Sequence, residues 1–404
     1  METTKQKKMM ILGASELQVP AIRKAKELGY QIILVDYNEN AVGFALADVK
    51  LVVSTLDQEE VYRQALIYQP DVVITSTSDG PVRTAAYVNE KLGKKPDLSY
   101  EDSLCATIKS HMRRRLEENH VPIPAYYAVQ DFEEFRAAVE ALRGVCIVKP
   151  ADNAGSRGVV LLDERRKRSE EELRETYEYS RSNSRNGIVM VEEYMTGPEV
   201  SVEAMTVDGQ TTILTITDKY ITPPPYFVEV AHSEPSRLDE ETQERIRQVT
   251  LQAVGAIRLQ NGPSHTEIKV TEEGPKIVEL AARLGGDYIT SRLVPLSTGV
   301  DMVGASVLIA TGGEVDLKCT RHRGSAIHFI QGKEGVIKRI EIDPVLSQME
   351  GVEEVTVYMK EGDRVHSTRS SNDRLGHIIT VGRNAEEAME IGRRAMELVR
   401  VEVE

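Results

Sequence analysis

The sequence predicts an α/β fold, α+β in parts, and three observations lead to that prediction. Short apolar strands alternate with helical stretches over residues 1 to about 98, which is the pattern of parallel βαβ units. Residues 193–404 are instead rich in strands and are predicted to end in a helix at 384–399. The length of 404 residues is enough for two to four domains, at roughly 100 to 200 residues per domain.

The N-terminal unit begins with a βαβ pattern. KMMILG at 8–13 predicts a buried strand, 16–29 predicts a helix, and QIILVD at 31–36 predicts a second strand. The rest of the unit is predicted to contain strands at 50–54 and 71–76 and helices at 57–68 and 81–92. The first turn, GASELQ at 13–18, keeps only the first glycine of the G-x-G-x-x-G dinucleotide motif, so a nicotinamide-dependent oxidoreductase is a weak alternative.

The middle of the chain is predicted to contain one long helix and a smaller α/β unit. The helix covers 102–119, with Ser99 or Asp102 as its cap and a left-handed exit at 119–120. The smaller unit covers about 124–192. Its strands are predicted at 145–149 and 188–192.

Composition and charge argue against several classes of protein. The formal net charge of −14 disfavours nucleic acid as the main partner, because nucleic-acid-binding proteins usually carry a basic face. No run approaches the roughly 20 apolar residues of a membrane span, and METTKQKKMMILG lacks a signal-peptide pattern. We therefore expect a cytoplasmic protein without a membrane or nucleic-acid partner. The three cysteines lack metal spacing, so neither a disulfide framework nor a zinc site is expected.

The stretch CIVKPADNAGSRGVV at 146–160 places a lysine at the end of an apolar strand, before a glycine-bearing loop. In a Walker A loop, G-x-x-x-x-G-K-[ST], the glycines precede the lysine, whereas Lys149 precedes Gly155 and Gly158. The stretch by itself leaves two alternatives open. Lys149 is either a phosphate ligand or a solvated lysine ahead of an ordinary turn.

The segment SHTEIKVTEEGPKIVELAARLGGD at 264–287 predicts a β-hairpin. Because side chains alternate, one face of the first strand carries His265, Glu267 and Lys269, and one face of the second carries Ile277, Glu279, Ala281 and Arg283. Residues 272–274 (EEG) are predicted to form a three-residue loop with Gly274 in the left-handed position. Counting back from this loop pairs Val270 with Lys276.

That register places Glu267 directly across from Glu279. Two carboxylates opposite each other in a half-buried ladder repel and destabilise the sheet. A divalent metal would neutralise them, since Mg²⁺ is commonly held by one or two carboxylates together with substrate phosphates. Arg283 would project from the same face, where it could bind an anionic group through two hydrogen bonds. The alternative is an exposed hairpin whose glutamates face water.

Taken together, these features resemble the ATP-grasp superfamily of carboxylate-amine ligases over nearly the whole chain. The motifs that carry the resemblance are Lys109 in K-x-x-M-R, Lys149 in VKP, then AGSRGV, VEEYMTGPEVSVE, TEIKV and VELAAR. FVEVAHSEPSRL and HTEIKV…ARLGGD are most similar to the L-amino-acid ligase (dipeptide synthetase) branch. Biotin carboxylase and the formate-dependent purine transformylase are more distant relatives by the same criterion.

The resemblance implies an ATP-grasp fold with an N-terminal Rossmann-like domain, a small lid and a larger C-terminal antiparallel-sheet domain. Its implied bounds are 1–105 for the N-terminal (pre-ATP-grasp) domain, 106–312 for the ATP-grasp domain with a lid at about 124–192, and 313–404 for a C-terminal subdomain. The possibility of a homodimer also comes from the resemblance alone.

The resemblance further implies a role for each matching residue. Lys109 and Lys149 would contact the ATP phosphates beneath a flap of Ser156, Arg157 and Gly158. Adenine would lie against Glu192, Glu193, Tyr194 and Met195, and Glu199 would hold the ribose hydroxyls. Glu267 and Glu279 would bind Mg²⁺ or Mn²⁺. The substrates would meet Glu229, His232, Arg283, Gly286 and Asp287. Arg283 and Lys149 would be the catalytic residues, Arg283 by stabilising an acyl phosphate and a tetrahedral intermediate.

The activity implied is ATP- and Mg²⁺-dependent, ADP-forming ligation of a small carboxylate to an amine, with an amino acid as at least one substrate. One departure concerns the second metal strand, where the family pattern E-x-N-x-R has Ala281 at the asparagine position. That loss leaves the number of metal ions open. Two alternatives of other kinds remain, a biotin-carboxylase-like carboxylating enzyme and a non-catalytic ATP-binding relative.

The residues that select the substrates are less well defined by the sequence. Asp287 either receives a substrate ammonium group or caps a helix expected at 288–294. Arg237 and Arg292 either bind a substrate carboxylate or form surface ion pairs. The proline-rich stretch ITPPPYFVE at 221–229 could wall the substrate cavity.

Overall fold

The structure is a computed structural model that describes residues 6–94, 97–153, 157–163, 168–224 and 226–404. Ser156, one of the predicted flap residues, and Gly155 lie outside the described residues.

The N-terminal unit has the predicted doubly wound form. Its four parallel strands, in the order β3-β2-β1-β4, are β1 (Lys8–Leu12), β2 (Gln31–Asp36), β3 (Val49–Val52) and β4 (Val72–Ile74). Its helices are α1 (Val19–Glu27), α2 (Gln58–Tyr68) and α3 (Gly80–Lys91), and a short 3₁₀ turn at Glu16–Gln18 precedes α1. The strands are apolar runs covered by helices on both faces, as parallel sheets require.

The helix predicted at 102–119 is two helices, α4 (Tyr100–Cys105) and α5 (Lys109–Glu118). Ile108 is extended, and the Lys109 N–H donates to the Ala151 carbonyl at 2.7 Å rather than to a preceding turn. The prediction of one continuous helix is therefore wrong, because a contact distant in sequence interrupts it. The break places Lys109 at the start of α5, and the predicted cap Ser99 accepts a hydrogen bond from the Asp102 N–H.

The next unit is an antiparallel four-stranded sheet in the order β5-β8-β6-β7. Its strands are β5 (Tyr126–Val129), β6 (Val145–Pro150), β7 (Val160–Asp163) and β8 (Val189–Glu193), and its helices are α6 (Phe132–Leu142) and α7 (Glu170–Ser182). Phe132, Phe135 and Tyr177 pack between the helices and the sheet. Both strands predicted in this region are present.

The remainder is dominated by one antiparallel eight-stranded sheet in the order β13-β12-β9-β10-β11-β14-β18-β16. These strands are β9 (Glu199–Val207), β10 (Gln210–Ile221), β11 (Glu229–Glu234), β12 (Gly262–Thr271), β13 (Gly274–Ala281), β14 (Gly324–Ile330), β16 (Val352–Val357) and β18 (Gly376–Gly382). A small sheet in the order β17-β15-β19 is formed by β15 (Gly335–Ile342), β17 (Arg364–Val365) and β19 (Val399–Val403).

Four further helices cover the large sheet and join it to the N-terminal unit: α8 (Glu240–Ala256), α9 (Val294–Thr298), α10 (Met302–Ala310) and α11 (Ala385–Met396). One hydrophobic core contains side chains of both α1 and α10, so the two parts pack as one body there. The helix predicted at 384–399 is present as α11, and it is followed by β19, where Val399, Val401 and Val403 alternate with polar residues and pair with β15.

No single helix in the described ranges has the length and apolar composition needed to cross a membrane. One pair, Ile289–Thr298 and Met302–Ala310, meets that test jointly but bends by 114° at its break.

The predicted hairpin is present as β12 and β13, but its loop is shorter than predicted. Thr271 pairs with Gly274, so residues 272–273 form a two-residue loop. Lys276 consequently pairs with Lys269, one residue away from its predicted partner. The prediction of a three-residue loop is therefore wrong. The prediction for Gly274 is confirmed, since this residue has a positive φ of +125°.

A bulge in the second strand then restores the predicted pairing of the two carboxylates. Ile268 pairs with Ile277, the register shifts by one residue, and Glu267 pairs with Glu279. Simple alternation predicted that Ile277 and Glu279 share one face of the strand. That prediction is wrong, because Ile277 is fully buried beside Ile268. Glu267 lies across from Glu279 because the bulge compensates for the shorter loop.

Glu234 is a buried acid within the large sheet. Its side chain is 0% exposed, and its two oxygens accept hydrogen bonds from Thr217 Oγ1 and Ser297 Oγ, both at 2.9 Å. Burial raises the pKa of Glu234 to about 8, against the opposing effect of the two hydroxyls. The carboxyl group is therefore mostly protonated in the folded protein at neutral pH.

Glu234→Gln is expected to remove part of the pH dependence of stability. The carboxyl ionises near pH 4.5 in the unfolded chain and near 8 in the folded protein, so its contribution to stability is complete below the first value and lost as the pH rises through the second. Relative to the variant, the wild-type free energy of unfolding should fall by up to about 1.4 kcal/mol per pH unit within that window. Urea denaturation at several pH values measures this difference, and a pH-independent difference would contradict the assignment.

Candidate functional site

The main cleft lies between the four-stranded sheet and the edge of the large sheet that carries β9, β10, β12 and β13. It has a volume of about 190 Å³ and is lined by residues from α5, β6, β8 and these four strands. Ile147, Met195, Phe227 and Val278 supply its apolar surface, while lysines and glutamates line the rest. A cleft with one apolar part and one strongly charged part suits a ligand that combines a flat ring with an anionic chain.

A buried ion-pair group at the cleft wall fixes Lys149. Glu192 accepts two hydrogen bonds from Arg113, at 2.9 and 3.0 Å, and lies 2.7 Å from Lys149 Nζ. Burial alone would raise the pKa of Glu192, but the two cations outweigh it and lower that pKa to about 2. Burial lowers the pKa of Lys149, against the opposing effect of Glu192. The Glu192 carboxylate is thus occupied by protein cations, while Lys149 lines the cleft.

Arg113 received no role from the sequence, although it is the arginine of the K-x-x-M-R motif. Its side chain is fully buried and also donates to the carbonyls of Ile277 and Val278 at 3.1 and 2.8 Å. It therefore ties α5 and β8 to the hairpin. The motif contains Arg113, but the hydrogen-bond partners of this arginine lie 79 and more than 160 residues away in the sequence.

The residues expected to meet a base line the cleft where β8 ends. The Glu193 N–H donates to Ala125 O at 2.9 Å and the Tyr194 N–H to Val145 O at 3.1 Å. Within the described chain, the Met195 N–H has no such backbone acceptor. Met195 is therefore the one of these three residues whose amide remains able to bind a ligand.

Lys109 reaches the hairpin from the start of α5. Its Nζ lies 2.8 Å from Glu279 Oε1 and donates to the Asn153 carbonyl at 2.9 Å. Burial would lower the pKa of Lys109, but Glu279 reverses this effect and raises it. The two residues are 170 positions apart and form one charged pair that lines the cleft.

Lys219, on β10, is the central cation that sequence reasoning missed. Its Nζ lies 2.8 Å from both Glu199 and Glu267 and 3.8 Å from Glu229, and its side chain is 4% exposed. Burial opposes its charge, but the three carboxylates together raise its pKa well above the ordinary value. The residues expected to hold ribose, metal and substrate therefore share one lysine. The one local signal for Lys219 is the alternation of β10, which places this lysine on the same face as Thr217.

Glu267 and Glu279 provide a donor set that fits a divalent metal ion. They lie opposite each other on the hairpin and both line the cleft, where phosphate oxygens could complete the coordination of Mg²⁺. Burial would raise the pKa of Glu267, but Lys219 and His265 hold it well below the usual range, so this ligand is ionised. In the described ranges no cluster of three or more acidic, histidine or cysteine side chains forms a larger metal site. Ala281 adds no side-chain ligand.

His265 lies behind this pair and contacts Glu203. Its Nδ1 is 2.6 Å from Glu203 Oε1 and its Nε2 is 3.6 Å from Glu267 Oε1. Burial would lower the pKa of His265, but Glu203 raises it to about 9. The charged imidazolium therefore stabilises the Glu267 carboxylate together with Lys219, since both cations approach Glu267 Oε1.

Arg283 projects from the end of the hairpin toward the N-terminal unit. Its Nε donates to Asp79 at 2.7 Å and its Nη1 to the carbonyl of Leu284 at 2.9 Å. Within the described chain, its Nη2 group has no partner. Asp79 thus orients the guanidinium and leaves one donor group for an anionic ligand.

The expected substrate residues Glu229, His232 and Asp287 are brought together by Arg374, which the sequence did not indicate. Arg374 lies 2.7 Å from Asp287 and 2.9 Å from Glu229, and Asp287 lies 3.1 Å from His232 Nε2. Asp287 does not cap the following helix, since the structure places Tyr288 at that position without a side-chain cap. The neighbouring Gly286 packs near Leu17 of the N-terminal unit.

The remaining candidates are placed as follows. Arg237 pairs with Asp218 at 3.5 Å and Arg292 with Glu354 at 3.1 Å, and both arginines are more than a third exposed, as expected of surface pairs.

Arg157 of the predicted flap lines the cleft. Gly158 has a φ of +78°, and a Cβ there would lie 2.7 Å from both Asn183 and Pro150, so this position requires glycine.

Comparison with known proteins gives two family matches. Residues 142–291 match the ATP-grasp domain, and residues 327–404 match the L-amino acid ligase C-terminal domain 2. The L-arginine-specific L-amino acid ligase of Bacillus subtilis is 24% identical over 76% of this chain and 74% of its own length. The uncharacterized protein y4rH of Sinorhizobium fredii is 29% identical over 72% of this chain, but the match spans only 60% of that protein.

The fold agrees with these matches. The crystal structure of an L-amino acid ligase from Bacillus licheniformis superimposes with a TM-score of 0.83 at 22% identity, covering 99% of this chain and 100% of that one. The chain therefore contains an ATP-grasp domain at residues 142–291 and has the ATP-grasp fold. Its C-terminal region is that of the L-amino acid ligases, which confirms the branch that the sequence resembled.

Lys219→Met is expected to destabilise the protein in a metal-dependent way. Removing the shared lysine leaves three buried or half-buried carboxylates close together, which should cost about 3 to 5 kcal/mol of unfolding free energy in metal-free buffer. Saturating Mg²⁺ should recover part of that loss, because a divalent ion between Glu267 and Glu279 replaces the missing charge. Denaturant titrations with EDTA and with Mg²⁺ measure both effects.

Lys269→Met is the matched control. Among the described residues Lys269 forms an ion pair with Glu199, at 2.9 Å, and none with Glu267 or Glu279. This variant should also lose stability, but Mg²⁺ should restore it no more than it stabilises the wild type. Equal recovery by the two variants would refute the role assigned to Lys219.

Proposed function

We propose that this protein is an ATP- and Mg²⁺-dependent, ADP-forming ligase that joins an amino acid to a second small substrate through an acyl-phosphate intermediate. The observation that supports it most is the arrangement at the hairpin. Glu267 and Glu279 face each other in the cleft, and Lys109 is bonded to Glu279. Arg283 lies four residues beyond Glu279, and one of its donor groups has no partner in the described chain.

The nucleotide is proposed to lie along the cleft from Met195 to the hairpin. The apolar side chains at the end of β8 would contain the base, with the Met195 N–H as a donor to it. Glu199 would meet the ribose. Lys109 and Lys149 would contact the phosphates, and both already line that part of the cleft. Mg²⁺ bound to Glu267 and Glu279 would neutralise phosphate charge.

The chemistry proposed is displacement at the γ-phosphate by a substrate carboxylate, followed by attack of an amine on the acyl phosphate. Catalysis of phosphoryl transfer depends mainly on positioning and on stabilising charge. Asp79 holds Arg283 at 2.7 Å, so the guanidinium is oriented before any substrate binds. Arg283 would stabilise the anionic oxygens that develop in both steps.

The flap at 156–158 would exclude water from the acyl phosphate. Glu229, His232 and Asp287 would contact the substrates, with Arg374 holding the two carboxylates in position. The similarity to the L-arginine-specific L-amino acid ligase of Bacillus subtilis supports an amino acid as one substrate. The cytoplasm is the proposed location and a homodimer a proposed state.

A phosphate-release screen tests the proposal. Purified protein and Mg-ATP are incubated with amino acids singly and in pairs, and products are identified by mass spectrometry. A ligase gives ADP, phosphate and a condensed product in about equal amounts. A biotin-carboxylase-like enzyme would instead turn over ATP with bicarbonate and free biotin, and a non-catalytic relative would bind Mg-ATP without release from any mixture.

Glu279→Gln and Arg283→Ala should each lower turnover by at least about 100-fold, the usual effect of removing one group that stabilises transition-state charge. The fold should be retained, as judged by circular dichroism. Glu272→Gln is the matched control, since Glu272 is exposed in the loop of the same hairpin. Near-normal turnover in either test variant would show that the assignment of the hairpin face is wrong.

A further inference from the structure

A second cavity opens on the N-terminal side of the Lys109–Glu279 pair. It has room for about 560 Å³ and shares Lys109, Asn153, Arg157 and Glu279 with the nucleotide cleft. Its other walls come from the ends of β1 and β4, the start of α3 and residues 370–372. A molecule in this cavity would therefore reach the reacting phosphate from the side opposite the base.

Arg83 lines this cavity and carries an uncompensated charge. It is half-buried, and among the described residues it has no hydrogen-bond or ion-pair partner. It lies on α3 four positions after Asp79, on the same helix face, and Asp79 is bonded to Arg283. Because helical side chains tilt toward the N-terminus, the Arg83 side chain is directed toward the end of α3 that begins after Asp79.

The carboxylates of the same cavity do not neutralise Arg83. Asp36 accepts from the Ala14 and Asn38 amides, both at 2.8 Å. Asp152 accepts from the amides of Arg185 and Asn186 at 2.9 and 3.1 Å. Asp36 and Asp152 are therefore bonded to backbone amides, while Arg83 has no partner among the described residues.

Two hydroxyl groups that line the same cavity as Arg83 are available as hydrogen-bond donors. Gln18 is 3% exposed, and its Nε2 donates to Thr77 Oγ1 at 2.7 Å and to Ser78 Oγ at 2.9 Å. Each hydroxyl accepts from Gln18 and, in the described chain, donates to no other residue. Their O–H groups are thus free to donate into the cavity, which both residues line.

We propose that the substrate activated by phosphorylation carries a second anionic group, a carboxylate or a phosphate, which binds Arg83 together with the hydroxyls of Thr77 and Ser78. The inference rests on the proposed ligase function, because it places the reacting carboxylate at Arg283 and the second anion one helical turn away. A guanidinium with two hydroxyl donors matches a carboxylate or phosphate and leaves a neutral amide with unpaired donors.

Isothermal titration in the presence of Mg-ADP tests the site directly. The probes are L-glutamate and O-phospho-L-serine as anionic ligands and L-glutamine as the neutral match. Wild type should bind at least one anionic probe about 10-fold or more tightly than L-glutamine. Arg83→Met should remove that preference with Mg-ADP binding unchanged, and Arg83→Lys should retain part of it. The two anionic probes separate a carboxylate site from a phosphate site.

Arg63→Met is the control, because Arg63 is a 68% exposed arginine of the same unit. It should leave the preference intact. Absence of an anion preference in wild type, or its survival in Arg83→Met, would overturn the inference. Phosphate release only with carboxylate substrates that lack a second anionic group would overturn the inference and leave the ligase proposal standing. An Arg83-dependent preference without phosphate release from any acid would support the anion site and contradict the ligase proposal.

Discussion

Each carboxylate that lines the main cleft is held by a cation from another strand or helix, and the architecture depends on these pairings. Glu192 is bonded to Arg113 and Lys149, Glu279 to Lys109, and Glu199 and Glu267 share Lys219. A buried carboxylate without such a partner would be strongly destabilising. The fold therefore has to bring α5, β6, β8, β10 and the hairpin together at one place.

The pairing also suits an exchange of partners on ligand binding. Lys109 and Lys219 neutralise the two hairpin carboxylates in this structure, and a divalent ion would do so in the proposed complex. Each lysine would then be released toward phosphate or ribose groups that bring their own negative charge. The cleft would remain close to electrically balanced in both states, which limits the electrostatic cost of binding a highly charged nucleotide.

Local patterns predicted much of the fold but not the contacts that complete the site. The N-terminal strands, the caps and the hairpin follow from apolar runs and turn residues, so they were predictable. The pairing of Glu267 with Glu279 was predicted correctly, although the predicted loop was one residue too long. A bulge compensates for that residue, and no local signal in the sequence indicates the bulge. Lys219, Arg113 and Arg374 could not be assigned because their partners are brought close only by tertiary packing. The helix break before Lys109 has the same origin, since it depends on Ala151.

The claim on which the proposed mechanism depends is that a divalent ion binds between Glu267 and Glu279. Anomalous X-ray scattering at the manganese edge, from crystals grown with Mn²⁺ and a non-hydrolysable ATP analogue, tests it most directly. The account predicts a manganese peak within bonding distance of both carboxylates and of the nucleotide phosphates. A nucleotide bound in the cleft with its manganese away from both glutamates, and with Lys109 and Lys219 still paired to them, would contradict it.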